Sequence, residues 1–306
     1  MNYEQLLSGL MQKDERYMIL TAENRSAMRN ISNTIPDRFI DTGIAEMTMI
    51  GMSAGLASRG RIPIVHALAT FLTLRAFEFI RTDIGIPNLP VKLVGAVPGF
   101  LSEANGPTHQ AIEDVSLLRG IPNMNVFCPS DEEDMVLGIE KIFPHISPFY
   151  IRYNNQKPAV KHSPFEIGKA EVLFEGDIMI LTYGILLKEA LAAREILKSE
   201  SISAGIINIR TLKPFDVKTI SEYCRKADLI VTLEDHFVTG GLFSILSEML
   251  VLENISCRVA PIGLHSWFKP ALLNDVLEYE GFTGTAIAQK ITREFNSADK
   301  LFKTNL

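Results

Sequence analysis

Short apolar runs alternate along most of the chain with stretches whose apolar residues recur every three or four positions. Residues 18–20, 62–65, 91–94 and 149–152 read as short buried strands. Residues 2–11, 47–58, 71–84 and 112–118 carry the helical spacing. Ser130-Asp131-Glu132-Glu133 has the form of a capping box and opens a helix predicted to run to about Ile142. Residues 154–163 are polar, contain Pro158 and show no period, so they read as a linker between a domain at 1–155 and a second at 165–306. Beyond it the alternation resumes, with strands predicted at 178–182, 203–208, 229–233 and 256–261. The intervening helices fall at 187–198, 217–224, after Gly240-Gly241 to residue 250, and at 285–295. Strand–helix alternation of this kind predicts α/β domains built around mostly parallel sheets.

With 306 residues, 47% of them hydrophobic, the chain is long enough for two such cores. The net charge of −6 and the lack of a Lys/Arg block argue against a nucleic-acid partner. Cys128, Cys224 and Cys257 are widely spaced, form no Cys-x-x-Cys, and point to neither a disulfide framework nor a zinc site. No signal-peptide core opens the chain, and no apolar stretch approaches the ~20 residues of a membrane span. These features lead to the expectation of a cytoplasmic protein with small-molecule substrates and no membrane.

Two clusters carry candidate chemistry. In Gly43-Ile44-Ala45-Glu46, a glycine turn leads into a helix rich in small residues and leaves Glu46 at its start, where the backbone dipole favours an anion. A first-turn glutamate is also an ordinary way to stabilise a helix end. In Asn105-Gly106-Pro107-Thr108-His109-Gln110, a Gly-Pro turn delivers an imidazole just ahead of a helix, as a ligand contact or as a cap.

Together these segments resemble the transketolase family. Residues 43–46 match its Gly-Ile-x-Glu segment, and residues 106–110 its Gly-Pro-Thr-His-Gln turn, with Ile112-Glu113-Asp114 and Ile121-Pro122-Asn123 downstream. Asp131 follows Cys128-Pro129-Ser130 as in the family, and Thr182-Tyr183-Gly184, Glu234-Asp235-His236 and Gly240-Gly241-Leu242 match its C-terminal module. The resemblance implies a pyrimidine-binding domain followed by a transketolase C-terminal-like domain, and thiamine diphosphate as cofactor. It implies that Glu46 hydrogen-bonds the aminopyrimidine ring and activates the cofactor, that Phe71 stacks on that ring, and that Ile44 adds to the cofactor site. It further makes His109 and Asn105 contacts to sugar hydroxyls and Arg152 a phosphate contact, although a salt bridge between domains is an equal alternative for Arg152. Arg75, Phe77 and the Glu234-Asp235-His236 run read as structural. The stretch from Phe71 to Arg75 is one residue longer than the family's Phe-x-x-Arg-Ala-Phe.

The family's Gly-Asp-Gly motif for diphosphate and magnesium has no counterpart. Gly176-Asp177-Ile178 with Asn208 is a decoy, since its third glycine is missing. The resemblance therefore implies that a separate subunit holds diphosphate and Mg2+, that this chain ligates no metal, and that the assembly is a dimer of heterodimers. Asn105 replaces a family acidic residue, Val97 a histidine, and Met47 a glutamine or histidine. These changes leave three readings open. They are ketol transfer between sugars, another carboligation such as deoxyxylulose-phosphate synthesis or acyl transfer, and a non-catalytic supporting subunit.

Overall fold

Among the described residues, twelve strands build two sheets: β1 (Tyr17–Thr21), β2 (Phe39–Asp41), β3 (Ile62–Leu68), β4 (Lys92–Ala96), β5 (Asn125–Phe127), β6 (Phe149–Arg152), β7 (Glu171–Phe174), β8 (Ile178–Thr182), β9 (Ala204–Asn208), β10 (Thr211–Lys213), β11 (Leu229–Phe237) and β12 (Val259–Leu264). The computed structural model describes residues 1–303, with side chains through residue 296; residues 304–306 of the expected second domain lie outside the described residues. The first sheet runs β10-β5-β6-β4-β3-β1-β2 and the second β12-β11-β8-β9-β7. Every pairing is parallel except β10 on β5 and β7 on β9. Parallel neighbours need crossover helices that cover both faces, which is why β1, β4, β6, β8 and β9 are buried at every position and are mostly apolar, with polar residues only at their ends.

The differences from the sequence reading have physical causes. β2, β5, β7 and β10 are three or four residues long, too short to show a period. β11 does not stop at the acidic residues but runs through Glu234-Asp235-His236, all three buried with partners. β12 starts three residues later than expected and is only partly buried, as an edge strand allows. The helix Glu132–Ile142 is capped by Asp131, whose carboxylate accepts from the Asp134 N–H, and not by Ser130, whose hydroxyl donates to Asn208 Oδ1. The helix predicted at 71–84 is wound as two π-helical segments, Phe71–Arg75 and Ile80–Gly85, around Phe77–Phe79. A π turn takes about one residue more than an α turn, and so accommodates the extra residue between Phe71 and Arg75.

The two sheets are not independent bodies. β10 leaves the second sheet to close the edge of the first, and one apolar cluster joins Val126 and Tyr150 to Ile209 and Leu246. Phe100 and Ile112, from the first half of the chain, lie in the core of the second sheet. The polar stretch 154–163 is also tied down. Asn154 is buried and donates to the Pro129 and Ser130 carbonyls. His162, its side chain wholly buried, lies 2.8 Å from both Asp131 and Glu171. Arg210 completes the cluster, 2.9 Å from Asp134 and 2.8 Å from Glu171.

Burial disfavours the charged His162 ring, but its bonds to Asp131 and Glu171 outweigh burial and raise its pKa to about 10. Burial likewise acts against the Glu171 anion, yet donors from His162, Ser163, Arg210 and Asn208 hold it near 2. A raised histidine stabilises fully below its unfolded value of about 6.5, and the contribution fades as pH rises through about 10. A depressed glutamate stabilises fully above about 4.5 and loses this as pH falls through about 2. Both contributions are complete between about pH 4.5 and 6.5. His162→Gln is therefore expected to lower Tm most near about pH 6, with the gap to wild type narrowing toward about pH 9.5. Melting curves across that range check it, and a gap that widens with pH would contradict it. Among the described residues, no helix is long and apolar enough to cross a membrane.

Candidate functional site

Glu46 is the first residue of the helix Glu46–Ala57, reached from β2 through Gly43 at φ +67°. No side chain caps this helix, so its first amides and a carboxylate occupy the same end. Glu46 is only 2% exposed, yet its Oε2 accepts a 2.7 Å bond from Arg75. The Arg75 guanidinium in turn lies 4.2 Å from the centroid of Phe71. The Phe71 ring meets His109 edge-on, with centroids 5.0 Å apart, and Thr108 Oγ1 lies 2.9 Å from His109 Nδ1. Thus the structure brings Glu46, Phe71 and His109 together, and the element joining them is Arg75. The sequence reading left Arg75 as structural; its place one π turn after Phe71, which sets it beside Glu46, shows only in the folded chain. Ile44, at 70% exposure, Met47 and Leu74 are exposed apolar residues close in sequence to Glu46 and Phe71.

The His109 turn is shaped by its glycines. Gly99 sits at φ +57°, and a Cβ there would come within 1.8 Å of Asp235 Oδ2, so no side chain fits. Gly106 is at φ +77°. Val97, at φ +49°, adopts the same left-handed region despite its branched side chain, a conformation that costs of order 1–3 kcal/mol. Asn105 is exposed on this turn and His109 half-buried.

Arg152 is not part of this group. It is 3% exposed at the end of β6, with Nε 3.0 Å from Asp114 and Nη1 2.5 Å from Asp235. Its remaining nitrogen lies near the Ala111 and Asp235 carbonyls, so every donor is turned inward. Of the two roles expected for Arg152, the structure shows the geometry of the salt bridge between domains. Next to it, burial raises the Glu234 carboxyl to about 8, opposed by the Leu242 and Phe243 amides that it caps. Burial lowers His236 to about 4; the neutral ring donates from Nδ1 to the Phe237 carbonyl and accepts at Nε2 from the Ser116 amide. Asp235 and His236 join the domains, through Arg152 and the Ser116 amide, while Glu234 caps the helix Leu242–Leu252 within the second. Asp177 is exposed whereas Asn208 is buried in the His162 cluster, so the two share no site. Among the described residues, no group of three or more His, Cys, Asp or Glu is arranged to hold a metal ion.

Comparison with known proteins agrees with this architecture. The family model "Transketolase, pyrimidine binding domain" matches residues 1–159, and "Transketolase, C-terminal domain" matches residues 168–287. The chain is 37% identical over 305 residues to the 6-deoxy-6-sulfo-D-fructose transketolase subunit SqwH of Clostridium sp. (strain MSTE9), covering 96% of this chain and 94% of that protein. It is 40% identical over 266 residues to 1-deoxy-D-xylulose-5-phosphate synthase of Dictyoglomus thermophilum, covering 84% of this chain but only 42% of that longer protein. Among solved structures, a split-gene transketolase described as an inactive β4 tetramer superposes with a TM-score of 0.87 at 33% identity, covering 96% of this chain and 97% of that one. A transketolase from Pichia stipitis shares the fold, with a TM-score of 0.80 at 17% identity, over 97% of this chain and 46% of that one. With both domain models matched in order along most of its length, this chain belongs to the transketolase family, as a unit of the pyrimidine-binding and C-terminal domains.

Proposed function

We propose that the chain is the pyrimidine-side subunit of a split, thiamine diphosphate-dependent transketolase that moves a two-carbon ketol unit from a ketose to an aldose. The observation that carries this reading is the buried Glu46 carboxylate, held 2.7 Å from Arg75 beside the Phe71 ring and the His109 imidazole. A carboxylate with an aromatic face beside it suits an aminopyrimidine, which needs an acceptor at a ring nitrogen and a flat apolar neighbour. When bound, thiamine diphosphate supplies a carbon nucleophile and an electron sink for breaking the bond beside a ketose carbonyl. Glu46 holds a proton shared with the pyrimidine ring nitrogen, in a place dry enough for that sharing to matter. Arg75, 39% exposed in its side chain, pairs with the carboxylate at 2.7 Å and is free to swing toward solvent when the ring takes its place. Phe71 and Ile44 exclude water from the ring, and Met47 and Leu74 extend the apolar surface toward whatever covers it.

Diphosphate and Mg2+ are assigned to a second subunit, in line with the missing Gly-Asp-Gly motif, whose nearest counterpart, Gly176-Asp177-Ile178, lacks the third glycine. A dimer of heterodimers is the corresponding assembly. His109 and Asn105 bind ketose hydroxyls. With the Arg152 guanidinium committed to Asp114 and Asp235, the far end of the sugar is read by other groups. A ketose with a terminal group other than phosphate fits this arrangement, in keeping with the sulfonated sugar in the name of the SqwH relative.

The test is to combine the chain with its partner subunit, thiamine diphosphate and magnesium, then follow ketol transfer from ketose donors with and without a terminal anion. Within that assay, His109→Ala is expected to raise the donor KM roughly 10- to 100-fold, the worth of about 1.5–3 kcal/mol for a lost charged or buried hydrogen bond. Unchanged donor KM would remove His109 from the substrate site. The 40% identity to a deoxyxylulose-phosphate synthase supports a second reading, condensation from pyruvate. Release of carbon dioxide from pyruvate would favour it, because ketol transfer releases none.

A further inference from the structure

We propose that loop 265–271 of the second domain is the positioning element for the His109 turn, setting the fit of the donor sugar while leaving the cofactor pocket alone. Three contacts carry this inference, at residues 100, 103 and 110, and Pro270 lies close to the turn at residue 106. Phe100 packs edge-on against Phe268, with centroids 5.3 Å apart, and against Phe282 at 4.9 Å, inside the second domain's core. The Ala271 amide donates to the Glu103 carbonyl at 3.0 Å. Pro270 Cγ lies 3.8 Å from where a Cβ on Gly106 would sit. Gln110 is fully buried and its Nε2 donates to the Phe268 carbonyl at 2.7 Å.

The orientation of that amide follows from its partner, since a carbonyl accepts only from the N–H side. Gln110 Oε1 has no protein partner, so the bond to Phe268 is the one that fixes the side chain. Asn105 and His109 lie between these anchors, one exposed and the other half-buried. A turn left free at both ends would lose about 1–2 kcal/mol of backbone entropy per residue on binding a ligand. Anchoring it in advance removes much of that loss and holds the imidazole in place for a sugar. Among the described residues, none of the three anchors is hydrogen-bonded to or ring-packed on Glu46, Arg75 or Phe71.

The inference rests on the reading of His109 as a donor contact, and two measurements on the reconstituted two-subunit enzyme separate them. Gln110→Met keeps the side-chain length without the donor, and Phe268→Leu keeps an apolar residue without the ring. Each is expected to raise the donor KM about tenfold, with kcat and the half-saturating thiamine diphosphate concentration within about twofold of wild type. Amide hydrogen exchange over residues 100–110 is expected to quicken about tenfold, while the helix Glu46–Ala57 is unchanged. Unchanged exchange over 100–110 in both variants would overturn the inference. So would a parallel loss of cofactor affinity, which marks general loosening. If exchange quickens but His109→Ala leaves donor KM untouched, the anchor stands and the role given to His109 falls.

Discussion

Glu46→Gln is expected to lower ketol transfer by the two-subunit enzyme about 10²- to 10⁴-fold, the usual weight of a single positioned proton-transfer group. The substitution keeps the size of the side chain and its place at the start of the helix Glu46–Ala57. In the proposed mechanism it removes the negative charge that shares a proton with the pyrimidine ring, and neither Arg75 nor Phe71 beside it can take that part. Arg75 carries a permanent positive charge, and Phe71 has no proton to move. Stability should barely change, since an ion pair with one partner 39% exposed contributes about 0–1 kcal/mol. Activity and melting temperature are therefore expected to separate. A variant with full turnover would end the case for Glu46, and one with a collapsed Tm would make the carboxylate chiefly structural.

Arg152→Met is expected to do the reverse, costing about 3–5 kcal/mol of stability because one partner of a buried pair is removed and the others stay behind. Asp114 is wholly buried and Asp235 is 2% exposed, so neither gains water when the guanidinium goes. Burial pushes the Asp235 carboxyl up already, with Arg152 opposing it, and removing Arg152 lets burial win. Asp114 would keep only the Tyr150 hydroxyl, at 2.6 Å, for the oxygen that Arg152 shares. At an unfolding entropy of about 2 cal/mol/K per residue, the expected fall in Tm is roughly 5–8 °C. Arg152→Met/Asp235→Asn should recover part of it, since the double variant leaves one fewer charge unpaired. A Tm within about 1 °C of wild type together with a raised donor KM would return Arg152 to the substrate.

The two variants mark how far the sequence could be read. Glu46 and His109 stood out because each follows a glycine turn into a helix, and local chain geometry is written in neighbouring residues. Phe71 was legible only through its resemblance to a family stretch. Arg75 was not, because its partnership with Glu46 spans 29 positions and depends on a π-helical segment that no periodicity announces. Arg152 was left with two equal readings. An arginine at a strand end is the same residue whether it faces a pocket or a carboxylate, and Asp235 lies 83 positions away.

By itself the sequence determined the alternation of buried strands and amphipathic helices, hence two α/β domains with mostly parallel sheets, and the two turns that deliver Glu46 and His109. Those features follow from the hydrophobic pattern and from glycine's backbone freedom, both of which act over a few residues. Only the tertiary structure decided that β10 crosses to the first sheet, that Phe100 belongs to the second domain's core, and that His162 and Arg152 lie buried between carboxylates. These depend on which distant groups share a desolvated space. A charge's energy is set by that company, which no run of neighbouring residues records.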